Sequence, residues 1–193
     1  MGKLKIMDKT EDIVKLDLYT SLHENNLNPS ELSIFQRIIL ITDGTLTDIL
    51  ESYLSEKLWV IKLFEQMLLT TQAIPFLMLD SQCEVIERKI LLQGKESKNN
   101  WLYAESTIVP ARLDEPFRQA LLQSQAPIGQ LWATHRVETF KEIIALNWET
   151  AGELADFFRV SSESRLLCRT YRVFSKRQPI MLITEKFPES FFR

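Results

Sequence analysis

At 193 residues the chain is long enough to bury a sizeable core, and 45% apolar with 25% charged side chains is ordinary globular composition. A net charge of −3 with dispersed lysines and arginines argues against a nucleic-acid partner and gives no reason to expect membrane binding. No run approaches the roughly 20 apolar residues of a spanning helix, no basic start leads into an apolar stretch, and a cytoplasmic protein is expected. Cys83 and Cys168 both sit in strand-like runs and are expected as small buried thiols rather than a disulfide.

Residues 1–29 are charged and weakly patterned, an N-terminal arm in which Ile13, Leu16, Leu18 and Leu22 can form a loose helix; residues 30–193 are expected to form the domain. Pro29-Ser30 opens a helix through Leu40, with Leu32, Phe35, Ile38 and Ile39 spaced for one face. Asp43-Gly44 breaks it, and Thr45 can cap a second helix carrying Leu46, Ile49, Leu50, Tyr53 and Leu54. Residues 59–70 read as the first strand; 71–82, with Pro75, carry no clear pattern. Residues 84–93 and 100–109 read as a hairpin, 113–124 as a helix and Pro127-Ile128-Gly129 as a turn. A long strand is expected over 133–147 and a short helix over 151–158. Residues 165–175 and 180–187 close the chain as a second hairpin, turning through Lys176-Arg177-Gln178-Pro179. Strand hairpins and helices in separate blocks predict an α+β domain, with helices on an antiparallel sheet.

Two strand faces carry a charge where oil is expected. Arg88 alternates with Ile86, Ile90 and Leu92, and Glu185 with Met181, Ile183 and Phe187. A buried charge is costly unless compensated. From pattern alone two readings stand: Arg88 pairs with Glu185 or Glu105 inside the sheet, or the residues face a pocket for a polar, anionic small molecule. Glu105 alternates with Trp101, Tyr103, Thr107 and Val109, and inward orientation is possible for it too. Arg169 and Arg172 lie on opposite faces, and the second is the candidate to guard a pocket. Surface pairing is expected for Arg136, Glu138 and Glu142.

Other chemistries lose ground. Thr42-Asp43-Gly44-Thr45 resembles an aspartate phosphatase signature, but Ile41 stands where the nucleophilic aspartate belongs. His23 and His135 lack metal-ligand spacing, and the five glycines form no phosphate-cradling or nucleophile-elbow motif.

Four stretches in order, Glu87-Arg88-Lys89-Ile90-Leu91-Leu92, Ala104-Glu105-Ser106-Thr107-Ile108-Val109-Pro110, Ala126-Pro127-Ile128-Gly129-Gln130-Leu131 and Pro179-Ile180-Met181-Leu182-Ile183-Thr184-Glu185-Lys186-Phe187-Pro188, resemble chorismate pyruvate-lyase. With Leu32-Ser33-Ile34-Phe35-Gln36-Arg37 and Thr42-Asp43-Gly44-Thr45, the chain from about residue 30 looks closer still to the divergent branch found in cyanobacteria and plastids. The resemblance implies a chorismate lyase-like fold: an antiparallel sheet of about six strands, helices on one side, and helical flaps over an internal pocket. It implies conversion of chorismate to 4-hydroxybenzoate and pyruvate without metal or cofactor, in quinone precursor synthesis. By position, Arg88 binds the ring carboxylate, the Ile128-Gly129 backbone contacts the same group, and Glu185 lies near the 4-hydroxyl. In this chain Ile128 replaces a leucine, and Glu105 replaces a glycine of the better-known branch. The alternative is a non-catalytic aromatic-acid-binding module of the same fold. Effector domains of GntR-type regulators have that fold, but about 29 residues before Pro29 are too few for a winged-helix DNA reader.

Overall fold

The computed structural model describes residues 27–193; the loose helix expected around Ile13, Leu16, Leu18 and Leu22 lies outside them. After a 3-10 turn (Pro29–Glu31), α1 (Ile34–Ile41) starts later than the apolar spacing predicts, because Ser33 caps it. The Ser33 hydroxyl accepts from the Gln36 N–H, and the Gln36 side chain accepts from the Ser33 N–H. Thr45 holds the N-cap position of α2 (Leu46–Leu54), but only its backbone carbonyl receives helix N–H groups, from Asp48 and Ile49.

Six strands follow: β1 (Leu58–Leu69), β2 (Glu84–Gly94), β3 (Asn100–Ile108), β4 (Phe140–Thr150), β5 (Arg165–Ser175) and β6 (Gln178–Pro188). They form one sheet in the order β1-β2-β3-β6-β5-β4, every neighbour antiparallel. The β5–β6 hairpin turns on Lys176 and Arg177, with φ of 51° and 63°, the left-handed pair that matches strand twist. Four strands carry an extra residue: β1 between Lys62 and Phe64, β3 between Asn100 and Leu102, β4 between Ile143 and Ala145, and β6 between Pro179 and Met181. In the 71–82 segment, a 3-10 turn (Pro75–Leu77) tucks Leu77 and Leu79 against Val85 and Val109.

The helices α3 (Glu115–Gln123) and α4 (Ile128–His135) connect β3 to β4. The strand expected over 133–147 is therefore corrected: α4 runs to His135, stops at Arg136 in the left-handed region (φ 51°), and the strand begins at Phe140. Burial decides it, because Leu131 and Trp132 pack as helix neighbours against Phe117 and Leu121. α1 and α2 pack on one half of the sheet, with Ile39, Leu40 and Leu50 against Val60, Leu92 and Phe187. α3 and α4 cover the other half of the same face over Ile86, Tyr171, Met181 and Ile183. Each such fully buried side chain contributes roughly 1.5–3 kcal/mol. The fold is thus α+β with its longer helices on one side; one short helix, α5 (Ala155–Phe158), departs from that rule and packs Phe158 against Leu91, Tyr103 and Leu166 on the reverse face.

Candidate functional site

The helix-covered face is where the two anomalous charges meet. Alternation along β2 brings Arg88 inside with Ile86 and Leu92, leaving it only 4% exposed, and alternation along β6 brings in Glu185 with Met181, Ile183 and Phe187. One strand, β3, runs between them. Opposite Arg88 it places Ser106, and opposite Glu185 it places Ala104. These two small side chains leave room where the flanking strands carry large ones. The result is a chamber of about 50 Å³ whose wall includes Arg88, Ala104, Ser106, Ile128, Tyr171 and Glu185.

Arg88 and Glu185 do not pair with each other, and Arg88 does not pair with Glu105. The carboxylate nearest Arg88 is Glu65, with Oε2 3.3 Å from Nε and no hydrogen bond between them. The extra residue in β1 brings this about: beyond Lys62 the facing parity of the strand switches, so Glu65, not Phe64, stands opposite Arg88. Glu65 is also held by Lys62 at 2.9 Å. Among the described residues Arg88 donates no hydrogen bond to protein, and burial pulls its guanidinium below its usual range against the pull of Glu65.

Glu185 is held far more tightly. Arg169 Nε donates to Oε2 at 2.5 Å and the Tyr171 hydroxyl donates to Oε1 at 3.0 Å. Arg169, 1% exposed, also donates to the carbonyls of Ile39 at 2.6 Å and Thr42 at 3.1 Å, which ties the end of α1 to the sheet. Burial pulls Arg169 down, but Glu185 and Tyr171 outweigh it and the guanidinium is raised. Burial and then Glu185 push the Tyr171 hydroxyl well above its ordinary value, so it stays protonated and donates.

The roof comes from α2 and α4. Thr47, Pro127 and Ile128 reach the chamber. A Cβ on buried Gly129 would lie 2.4 Å from Thr45 Cγ2, so glycine permits the close approach of α4 to the start of α2. Glu51 braces the arrangement by accepting from the Leu58 N–H at 2.9 Å and from Gln130 at 3.4 Å. Helix geometry leaves the first N–H groups of α4, at Ile128 and Gly129, without intrahelical acceptors.

Of the sequence-expected residues, the structure brings together Arg88, Glu185 and Ile128, with Gly129 one step behind the wall. Glu105 is a correction. It faces the reverse side of the sheet, between Lys89 and Thr184, and accepts from the Tyr103 hydroxyl at 2.9 Å. Arg172 is another: it too points to the reverse side, pairs with Glu142 and lines an open groove at the β4 edge rather than the chamber. Sequence reasoning misses Tyr171 on the wall and, behind it, Arg169 beside Glu185 and Glu65 beside Arg88. Arg169 carries the same signal as Arg88, a charge alternating with Leu167, Tyr171 and Val173.

A family model described as chorismate pyruvate-lyase Rv2949c-like matches residues 40–193. A chorismate pyruvate-lyase of Mycobacterium leprae is 33% identical over 159 residues, spanning 81% of this chain and 75% of the relative. One of Mycobacterium tuberculosis is 32% identical over 163 residues, with 81% of each chain covered. Among solved structures, the effector domain of PhnF from Mycobacterium smegmatis superposes with a TM-score of 0.58 at 9% identity, over 77% of this chain and 90% of that one; the likeness is one of fold.

Proposed function

The chain belongs to the chorismate pyruvate-lyase Rv2949c-like family, and on that premise we propose that it converts chorismate to 4-hydroxybenzoate and pyruvate. The observation that carries this reading is Arg88, a buried guanidinium on the chamber wall whose N–H donors have no hydrogen-bond acceptor among the described residues. A fork of donors left open in a dry site suits a planar carboxylate. In this reading the ring carboxylate lies on Arg88 and the first N–H groups of α4, where a helix start favours an anion. Glu185, fixed by Arg169 and Tyr171, accepts from the 4-hydroxyl.

The reaction breaks the C3–O bond, with the electron pair leaving on enolpyruvate. The C4 hydrogen departs as a proton, the ring becomes aromatic, and enolpyruvate takes up a proton to become pyruvate. Aromatisation drives the step, so holding the reactive conformer is the main demand on the protein and no cofactor is called for. A role in quinone precursor synthesis belongs to the same reading and rests on the resemblance.

The chamber of about 50 Å³ is well below the roughly 150 Å³ that holds a benzene-sized guest. Entry of a ring therefore requires the roof, Thr47 and Ile128, to give way. Purified protein given chorismate should release pyruvate and 4-hydroxybenzoate one to one, followed by a lactate dehydrogenase couple and by chromatography. Release at the uncatalysed rate would overturn the proposal, and tight 4-hydroxybenzoate binding without turnover would favour a binding module instead.

A further inference from the structure

We infer that Lys141 receives the substrate's second carboxylate, the one on the enolpyruvyl arm, which reaches it past the Tyr171 ring. The inference rests on the chorismate reading and extends it. Lys141 lies on edge strand β4, paired with Val173 next to the Ile143–Tyr171 pair, on the helix-covered side of the sheet. Its ammonium is 5.2 Å from the Trp132 ring centre and 5.8 Å from that of Tyr171. Tyr171 forms part of two walls, that of the chamber and that of a groove of about 1000 Å³ at the β4 edge, and Lys141 lines the groove. Chamber, Tyr171, Lys141 and open groove thus follow one another in space.

Lys141 is unusual among the described lysines. The other half-buried ones, Lys62 and Lys186, have carboxylates at 2.9 Å and 2.7 Å. Lys141 has none within ion-pair distance and donates to the Gly44 carbonyl at 2.5 Å. An ammonium has three N–H donors, so two remain for a guest. The groups around it are Asp43 after α1, Arg169 and Tyr171 on β5, Glu185 on β6, and Arg136 and Glu138 across an adjoining cleft. Burial first, and then the Arg169 guanidinium, pull its pKa down to about 8.

Charge supports the assignment. Arg169 with Glu185 is neutral as a pair, and Arg88 and Lys62 with Glu65 carry one net positive charge, so without Lys141 a guest bearing two carboxylates meets a single net positive charge. The groove beyond Tyr171 offers the space that a second anion needs.

The test compares a two-carboxylate ligand, chorismate, with a one-carboxylate ligand, 4-hydroxybenzoate. Lys141→Met should raise the KM for chorismate about 10- to 100-fold, on the scale of a lost charge-assisted hydrogen bond. Its Kd for 4-hydroxybenzoate by calorimetry should stay within about two-fold of wild type, and Lys141→Arg should restore most of the chorismate effect. In the wild type, kcat/KM for chorismate should fall as pH rises past about 8, where the ammonium is lost, and this limb should vanish in Lys141→Arg. Equal losses for both ligands, or no loss for chorismate, would overturn the assignment. Should the wild type bind chorismate without turning it over, the lyase reading fails by itself, and the same comparison is read from dissociation constants. Binding of neither ligand would end both.

Discussion

Two buried arginines stand at the chamber in different surroundings, Arg88 on its wall and Arg169 behind Glu185. At one end Arg169 is bound to Glu185 and to two main-chain carbonyls, of Ile39 and Thr42. At the other, Arg88 is just as deeply placed but touches one carboxylate, at 3.3 Å, without a hydrogen bond among the described residues. Desolvating a guanidinium is costly, and its donors recover that cost only when acceptors are supplied. At the Arg169 end the fold supplies them to Nε and Nη1, leaving only Nη2 without a partner among the described residues, and the charge serves to lock α1 onto the sheet and to orient Glu185. At the Arg88 end the fold withholds them, and a bound anion is the natural acceptor. Exposure alone does not separate the two residues; hydrogen-bond inventory does.

That contrast can be broken by exchanging each arginine for methionine. Arg169→Met leaves Glu185 and two buried carbonyls short of a donor, and it should cost about 3–5 kcal/mol in urea unfolding. A loss below about 1 kcal/mol would erase the distinction. Arg88→Met should lower 4-hydroxybenzoate affinity about 100-fold, equivalent to about 2.7 kcal/mol, with unfolding stability changed by less than about 1 kcal/mol because Lys62 still pairs with Glu65. A large stability loss there would make Arg88 structural as well.

The roof sharpens the comparison. Gly129→Ala sets a methyl against Thr45 Cγ2, so α4 must back away at a cost of about 1–3 kcal/mol, and binding at the Arg88 end should weaken. Thr45→Ser removes that methyl, and the double variant should regain most of the melting temperature; failure to regain it would place the strain elsewhere. The smallest effect is expected from Tyr171→Phe. Glu185 keeps Arg169 and loses one neutral donor, about 0.5–1.5 kcal/mol by denaturation, while 4-hydroxybenzoate still binds.

Much of this was legible in the residues. Period-two alternation brought out Arg88 and Glu185, because both strands are apolar on the same face. It could not choose the face of β3, since both sides bury apolar groups: Leu102 and Ala104 on one, Tyr103 on the other, and Glu105 follows Tyr103. Arg169 obeys the same alternation as Arg88, whereas Arg172, the residue expected to guard a pocket, stands on the side of β5 away from the chamber. Glu65 was out of reach, because the extra residue near Leu63 is a backbone event that reverses parity with no glycine or proline to announce it. The strand expected over 133–147 ran on into α4, because the helix ends on an arginine in the left-handed region rather than on glycine.

The irregularity in β1 also bears on how relatives should be aligned. Loss of one residue between Lys62 and Glu65 would straighten the strand while keeping Glu65 across from Arg88. A single gap there is chemically silent. Loss of two residues would instead carry Glu65 to the far side of the sheet, leaving Arg88 without its counter-charge, so the spacing from Lys62 to Glu65 distinguishes homologues that keep the pairing from those that must supply it another way.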